Sequence, residues 1–404
     1  MNRTVYRELE GTPGVYGLIV LLGAFVLAAL ASFWYMEHNG HIVTGMNNQI
    51  VWGLPHVFAI FLIVSASGAL NVASIGSVFG KTAYKPMARM SGLLAIALLL
   101  GGLMVLVLDL GRPDRLIVAM TSYNFKSIFA WNILLYNGFM GIVGVYIYLQ
   151  MERNVPKLLL KSVGVFAFVW RLLLTTGTGS IFGWLVAREA YDAAVMAPMF
   201  IAMSLSFGLA FFILVALTVN GLTGRPFGGA LLSRMGKLLA IFAAVVLYFT
   251  LVQHLTSLYA TEHHSYERFI LMDGGIYTQL FWVGHILLGN LVPIFLLFHP
   301  TMSSKRPAII LASLMILAGG IAQLYVIVIG GQSFPLMLFP GYEVQSSLND
   351  GGFGVYSPSL PELLLGLGGV AIALAATVFG MKVLKIVPMT LADAAVDPHH
   401  SASK

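Results

Sequence analysis

Apolar residues run through this chain in long blocks separated by short polar stretches. Ten blocks reach the roughly 20 residues that a helix needs to cross a hydrocarbon layer. They lie at about 13–36, 54–79, 86–109, 125–150, 159–186, 193–219, 234–258, 276–299, 304–330 and 360–384. Backbone polar groups in lipid must be satisfied within the segment, so each block is expected to be helical. The pattern predicts an all-α polytopic membrane protein of ten transmembrane helices, arranged as two four-helix bundles plus two extra helices. Residues 1–389 then form a single integral membrane domain, and 390–404 a polar cytoplasmic tail that frays from Thr390. The first block does not read as a cleaved signal peptide. It is too long, and it runs into Trp34, Tyr35 and Met36 without a small-residue cleavage site.

The basic residues orient these spans. With a cytoplasmic N-terminus, 16 of the 22 Lys and Arg fall in inside segments. Five fall outside (Arg112, Arg115, Lys126, Arg188 and Arg268), and Arg171 alone lies within a span. This positive-inside bias puts both termini in the cytoplasm, as an even number of spans requires. The longest connection, 331–360, then faces outward, where it covers a site or docks a partner. A short echo between Pro55-His56-Val57-Phe58 and Pro198-Met199-Phe200 fits duplication of a four-helix unit, or the general likeness of apolar helices.

Composition removes several function classes. Hydrophobic residues make up 58% and charged residues 9%, which excludes a water-soluble globule. The net charge of +6 is too scattered for a nucleic-acid partner. With no cysteine, the chain has no disulfide, thiol nucleophile or thiolate-held iron–sulfur cluster. Electrons must reach it on another subunit or on a small molecule.

Ionisable groups inside spans are costly and therefore mark function. Here they gather at the outer ends. His56 is within a turn of the outer end of span two, and Asp109 closes span three. Asn132 lies in span four, Gln253 and His254 near the end of span seven, His285 in span eight and Gln323 in span nine. Arg112, Asp114, Trp131, Gln253 and Gln323 are the supporting residues of this zone, with Gly111–Arg115 open to a second reading as a tight turn holding its own ion pair. Ser67, Asn71 and Ser74 continue the His56 face of span two, and Arg171 and Thr175 form a stripe in span five. These stripes read as a proton path or as small-residue packing sites.

A quinone suits this inventory. Its carbonyls need hydrogen-bond donors, its two-electron reduction needs two protons, and its ring needs apolar walls reachable from lipid. His56, Asp109, Asn132, His254 and His285 are the predicted quinone-binding and proton-handling set. No metal site is predicted. Two other classes stay open: a haem b cytochrome ligated by His254 and His285, and a membrane transporter.

Two stretches carry a family resemblance. They are Trp52-Gly53-Leu54-Pro55-His56 with Ser67-Gly68-Ala69-Leu70-Asn71, and Asp109-Leu110-Gly111-Arg112-Pro113 followed by Trp131-Asn132. The chain resembles the NrfD/PsrC-like membrane subunits, and ten spans match the longer branch, where it is most similar to the DsrP type. The resemblance implies a bacterial inner-membrane subunit of a respiratory or sulfur-metabolism redox complex. It implies menaquinone or ubiquinone bound near the outer face, with no haem or iron–sulfur cluster in this chain. The implied partners are a periplasmic ferredoxin-like (DsrO-like) iron–sulfur subunit, a multihaem cytochrome and further membrane or cytoplasmic subunits. His56 and Asp109, with Arg112, Trp131 and Asn132 nearby, are the positions that match.

Overall fold

A computed structural model describes residues 4–336 and 351–396. Part of the 331–360 connection and the end of the tail lie outside the described residues. Among those described, ten helices are long and apolar enough to span a membrane: α1 Pro13–Asn39, α2 Leu54–Ser77, α3 Thr82–Leu108, α4 Ile128–Met151, α5 Lys157–Trp184, α6 Met196–Thr223, α7 Gly229–Tyr259, α8 Ile276–Phe298, α9 Arg306–Ser333 and α10 Leu360–Val383. Each agrees with the predicted block to within a few residues.

Local chemistry sets the helix ends. The Thr12 hydroxyl accepts from Val15 N at the start of α1, with Pro13 in the first turn where a missing N–H costs nothing. Ser359 and Glu362 cap α10 reciprocally. α6 stops at Gly224, whose φ of 65° is a left-handed conformation that glycine adopts without strain. α8 and α9 depart from α-helical hydrogen bonding: Leu280–Leu291 and Val326–Gly330 are π-helical.

α2 is the most enclosed span, with 94% of its apolar window buried, against 17% for α1. It packs against α3, α5, α6 and α10. Contacts run from α2 to α3, α4 and α5 and back to α2, and from α6 to α7, α8 and α9 and back to α6. α1 packs on α10, which packs on α3. Lipid gives apolar helices no hydrophobic reason to associate, so close packing of small residues must hold them. The α2–α6 crossing shows this. A Cβ on Gly68 would lie 1.5 Å from the Ser204 carbonyl oxygen, and one on Gly208 would lie 2.1 Å from Ala69 N.

Both terminal segments meet at one end of the bundle. Tyr6–Arg7 pairs antiparallel with Val387–Pro388, and the buried Arg225 donates to the Glu8 carbonyl and the Glu10 carboxylate, each at 3.1 Å. Residues 390–396 do not fray as expected. Leu391 is fully buried, and the Asp393 carboxylate accepts from Ala230 N (3.0 Å) and Leu231 N (2.9 Å), the open donors at the start of α7. The polar composition that suggested a free tail is that of a helix cap.

The glycine crossing gives a direct test. Gly68→Val should abolish a cooperative thermal transition of the detergent-purified chain, because the added atoms overlap backbone that cannot retreat. Gly141→Ala, at a glycine with open space around it, should leave the melting temperature unchanged. Equal melting for Gly68→Val and wild type would refute the crossing.

Candidate functional site

The polar residues expected at one end do lie there, but in two separate groups. In the first, His56 sits in the first turn of α2 and Asp109 caps α3. His56 Nδ1 and Asp109 Oδ2 are 2.9 Å apart, with the Asp109 side chain fully buried and that of His56 one-fifth exposed. The contact is not aligned as a hydrogen bond, and both Asp109 oxygens lack a hydrogen-bond donor. A carboxylate in an apolar layer must be matched by a cation or take a proton, and the His56 imidazole is the group within reach. Trp52 stacks on His56 with ring centroids 6.4 Å apart. Phe129 stands edge-on to Trp52 at 6.1 Å. Phe129 also lines a pocket of about 300 Å³ with Phe125, Trp131 and Trp184. Each of these four is at least 44% exposed, facing the surroundings of the bundle.

The second group is enclosed. His254 Nδ1 and Glu267 Oε2 are 2.6 Å apart, with the Glu267 side chain fully buried. The His285 ring is held at both nitrogens. Asn290 Nδ2 donates to His285 O (2.9 Å) and faces His285 Nδ1 (3.3 Å), while Nε2 lies 3.1 Å from Thr250 Oγ1. Because the amide nitrogen only donates, Nδ1 accepts, and the proton of the neutral ring sits on Nε2, donated to Thr250. Gln323 Nε2 also reaches Thr250 Oγ1, at 3.4 Å. Burial, reinforced by the neighbouring Glu267 carboxylate, pushes the Tyr266 phenol well above its ordinary value and keeps it protonated. His254, His285, Thr250, Gln323 and Tyr266, with Gln253, Met199 and Phe281, surround a cavity of about 30 Å³. That is room for one water, too small for a quinone ring.

The two groups are therefore not one chamber, which corrects the expectation that His56, Asp109, His254 and His285 converge. An aromatic file stands between them. Trp52 stacks on the fully buried Tyr191, Tyr191 packs edge-on against Phe182, and the Tyr191 hydroxyl donates to Val328 O beside the small cavity (2.6 Å). Arg188 fixes this arrangement, donating to the carbonyls of Gln332 (3.2 Å) and Gln49 (3.1 Å); burial lowers its pKa. The Gln332 side-chain oxygen in turn accepts from Val51 N and Trp52 N.

Asn132, expected in the quinone-binding set, lines neither cavity; its amide donates to Ile128 O and Gly177 O, each at 3.0 Å, tying α4 to α5. The supporting residues divide similarly. Arg112 and Asp114 form a bidentate pair with both bonds at 3.0 Å, each side chain more than 60% exposed. This is the tight-turn arrangement. Trp131 Nε1 donates to Phe125 O. Gln253 and Gln323 join the second group. Of the stripes, Thr175 Oγ1 donates to Ser67 Oγ (2.6 Å) and Arg171 donates to Asn71 Oδ1 (3.0 Å), so the faces of α2 and α5 meet. Ser74, at the end of the run away from His56, bonds its own helix at Leu70 O, and Ser67, the member nearest the histidine end, stands eleven residues along α2 from His56.

Sequence reasoning did not single out Glu267, Thr250 or Tyr266. Glu267 follows the polar Glu262-His263-His264 run and reads as loop; Tyr266 next to it was the available signal that the chain had turned inward. Nor does the His254–His285 pair suit haem. Glu267 holds one ring, Thr250 and Asn290 hold both nitrogens of the other, and the space between takes a water rather than a macrocycle.

An integral membrane protein of ten apolar helices with buried histidine–carboxylate contacts at one end is thus defined. Residues 42–336 match the family described as polysulphide reductase, NrfD, and the chain belongs to that family. The integral membrane subunit of an Hdr-like menaquinol oxidoreductase from Archaeoglobus fulgidus is 27% identical over 386 residues, covering 95% of this chain and 96% of that protein. A putative dimethyl sulfoxide reductase membrane subunit from Halobacterium salinarum is 26% identical, covering 93% and 91%. A polysulfide reductase subunit from Wolinella succinogenes is 22% identical, covering 71% of this chain and 96% of its own length. The third relative is shorter, and the family match ends before α10.

The enclosed pair can be tested by what it leaves behind. Glu267→Ala should lower stability by about 3 kcal/mol, as breaking a buried charged contact does, whereas Glu267→Gln keeps a neutral acceptor for His254 and should cost less than half of that. Denaturant melts in detergent check this. Nitrogen-15 NMR of the labelled chain should find His285 as the Nε2–H tautomer. Equal costs for the two variants, or an Nδ1–H ring, would contradict the geometry.

Proposed function

We propose that this chain is the quinone-interacting membrane subunit of a multisubunit oxidoreductase complex in the bacterial cytoplasmic membrane. It exchanges electrons between membrane menaquinone or ubiquinone and a ferredoxin-like, DsrO-like iron–sulfur subunit on the histidine end, with a multihaem cytochrome and other subunits beside it. The Lys and Arg distribution makes that end periplasmic. The observation that carries the reading is the His56–Asp109 contact, with its buried oxygens lacking donors, linked through Trp52 to Phe129, which walls a nearby pocket of about 300 Å³ with three other exposed aromatic rings. That volume is at the lower bound for small-ligand pockets, roughly 300 Å³, and suits a ring whose tail stays in the bilayer. Relatives named for menaquinol oxidation and polysulfide reduction support the same class of partner.

A bound quinone supplies a couple of two electrons and two protons. The chain's own residues then have separate tasks. Asp109 holds His56 at Nδ1 and leaves Nε2 for a ligand carbonyl or hydroxyl. Proton exchange with the ligand is then at Nε2, with the Asp109 carboxyl on the opposite side of the ring at 2.9 Å. Trp52 and Phe129 exclude water and fix the ring plane. The His254–Glu267 and His285 group, behind the aromatic file, is a buried polar element beside the binding wall rather than part of it. Loops at this end expose Ile42 (90%), Val355 (81%) and Val186 (67%), an apolar surface suited to a docked redox subunit.

In the assembled complex, His56→Phe and Asp109→Asn should each cut quinol-linked electron transfer by about a hundredfold, the usual cost of losing a positioned acid–base group. Assembly and melting temperature should stay unchanged for Asp109→Asn. If both variants turn over at the wild-type rate, the assignment fails.

A further inference from the structure

One large cavity lies away from the histidine end. It lies between α2, α5, α6 and α7 toward the opposite end, with a volume of about 1180 Å³. Small-ligand pockets span roughly 300–1000 Å³, so this one accommodates something bulkier. Its lining carries Lys81, Arg171, Arg234 and Lys237, and no carboxylate among the described residues. Apolar side chains such as Ile75, Leu205, Leu238 and Phe242 make most of the remaining wall.

Arg171 is the informative member. It is 2% exposed, yet no acidic group answers it. One amino group donates to Asn71 Oδ1 at 3.0 Å, while Nε and the other amino group are buried without partners. The guanidinium lies over the Phe168 ring, 4.8 Å from its centroid. Phe168 is one turn nearer the start of α5, so the side chain runs back toward the end where Lys81 and Lys237 stand. A guanidinium fork with two unused faces, in low dielectric, matches a phosphate or carboxylate better than any neutral ligand. At the rim, Ile241 and Phe79 are 49% and 57% exposed, which leaves the cavity in contact with lipid.

We propose that this cavity binds one anionic phospholipid. Its phosphate is held by Arg171, Lys81 and Lys237, and its acyl chains lie along the apolar wall and leave past Ile241 and Phe79. Basic pockets between spanning helices bind anionic headgroups through the same balance of charge and chain burial. A neutral quinone would leave Arg171, Lys81 and Lys237 unmatched, and a free phosphate ion would leave the apolar wall facing water.

The full chain, purified in mild detergent, is stripped of lipid and offered phosphatidylglycerol, phosphatidylcholine or inorganic phosphate, with retention read by native mass spectrometry. Phosphatidylglycerol should be retained near one per chain and phosphatidylcholine should not. The Lys81→Gln/Lys237→Gln double variant, which changes only exposed side chains, should weaken retention about tenfold or more. Arg171→Gln should weaken it further wherever it folds. Equal retention of both lipids, an unaffected double variant, displacement of the lipid by inorganic phosphate, or a quinone photolabel on Phe168 would each overturn the proposal.

Discussion

Backbone contact between α2 and α6 decides where every other polar group in this bundle can meet. At Gly68 and Gly208 the two helices approach so closely that a single methyl group has no place. α2 is thereby enclosed along its length, and the residues it carries are committed. Twelve residues toward one end, His56 meets Asp109. Three residues toward the other, Asn71 meets Arg171. Nothing in an apolar solvent would hold helices at that spacing except shape, since lipid offers leucine as good a surface as another helix does. The small residues therefore act as distance setters, and the functional geometry follows from them.

The spans were legible because bilayer thickness translates directly into run length, and the accumulation of His, Asp and Gln at one end was legible from depth alone. What depth does not give is lateral position. His56 and His254 are level with each other, yet Trp52 and Tyr191 stand between their groups. Which residue fills a gap between helices depends on helix rotation, and ten helices that are apolar on most faces provide little periodicity to read it from. Arg112 and Asp114 illustrate the opposite hazard. Two charges beside a site in sequence satisfied each other on the surface, as a Gly-Arg-Pro-Asp turn permits. Glu267 was missed because it lies just beyond a span, in a segment whose composition is that of a loop.

The two ends of the molecule handle charge by different means. At the histidine end, the buried carboxylates of Asp109 and Glu267 each have an imidazole within 3 Å. Such contacts can carry a proton on either partner, which fits the proton handling proposed for that end. At the other end the large cavity collects cations and, among the described residues, no carboxylate in its lining. Guanidinium and ammonium groups do not exchange protons readily near neutrality, so that end is built for a fixed anion. A chain this poor in charge has placed the few it carries by chemistry as well as by topology.

The π-helical stretch of α8 shows how far local backbone can shape the enclosed group. In an α-helix of 3.6 residues per turn, positions five apart lie about 140° from each other around the axis. His285 and Asn290 would then face different neighbours. Wider hydrogen bonding over Leu280–Leu291 brings position i+5 back above i, and Asn290 reaches both the carbonyl and Nδ1 of His285. The tautomer, and hence the donor presented to Thr250, depends on that extra residue in the turn. Gly289 permits it by letting α8 touch α9 at Gly319, where a Cβ would fall 2.2 Å from the Gly289 Cα. Helical periodicity of 3.6 cannot reveal such a contact, because the contact exists only where that periodicity is broken.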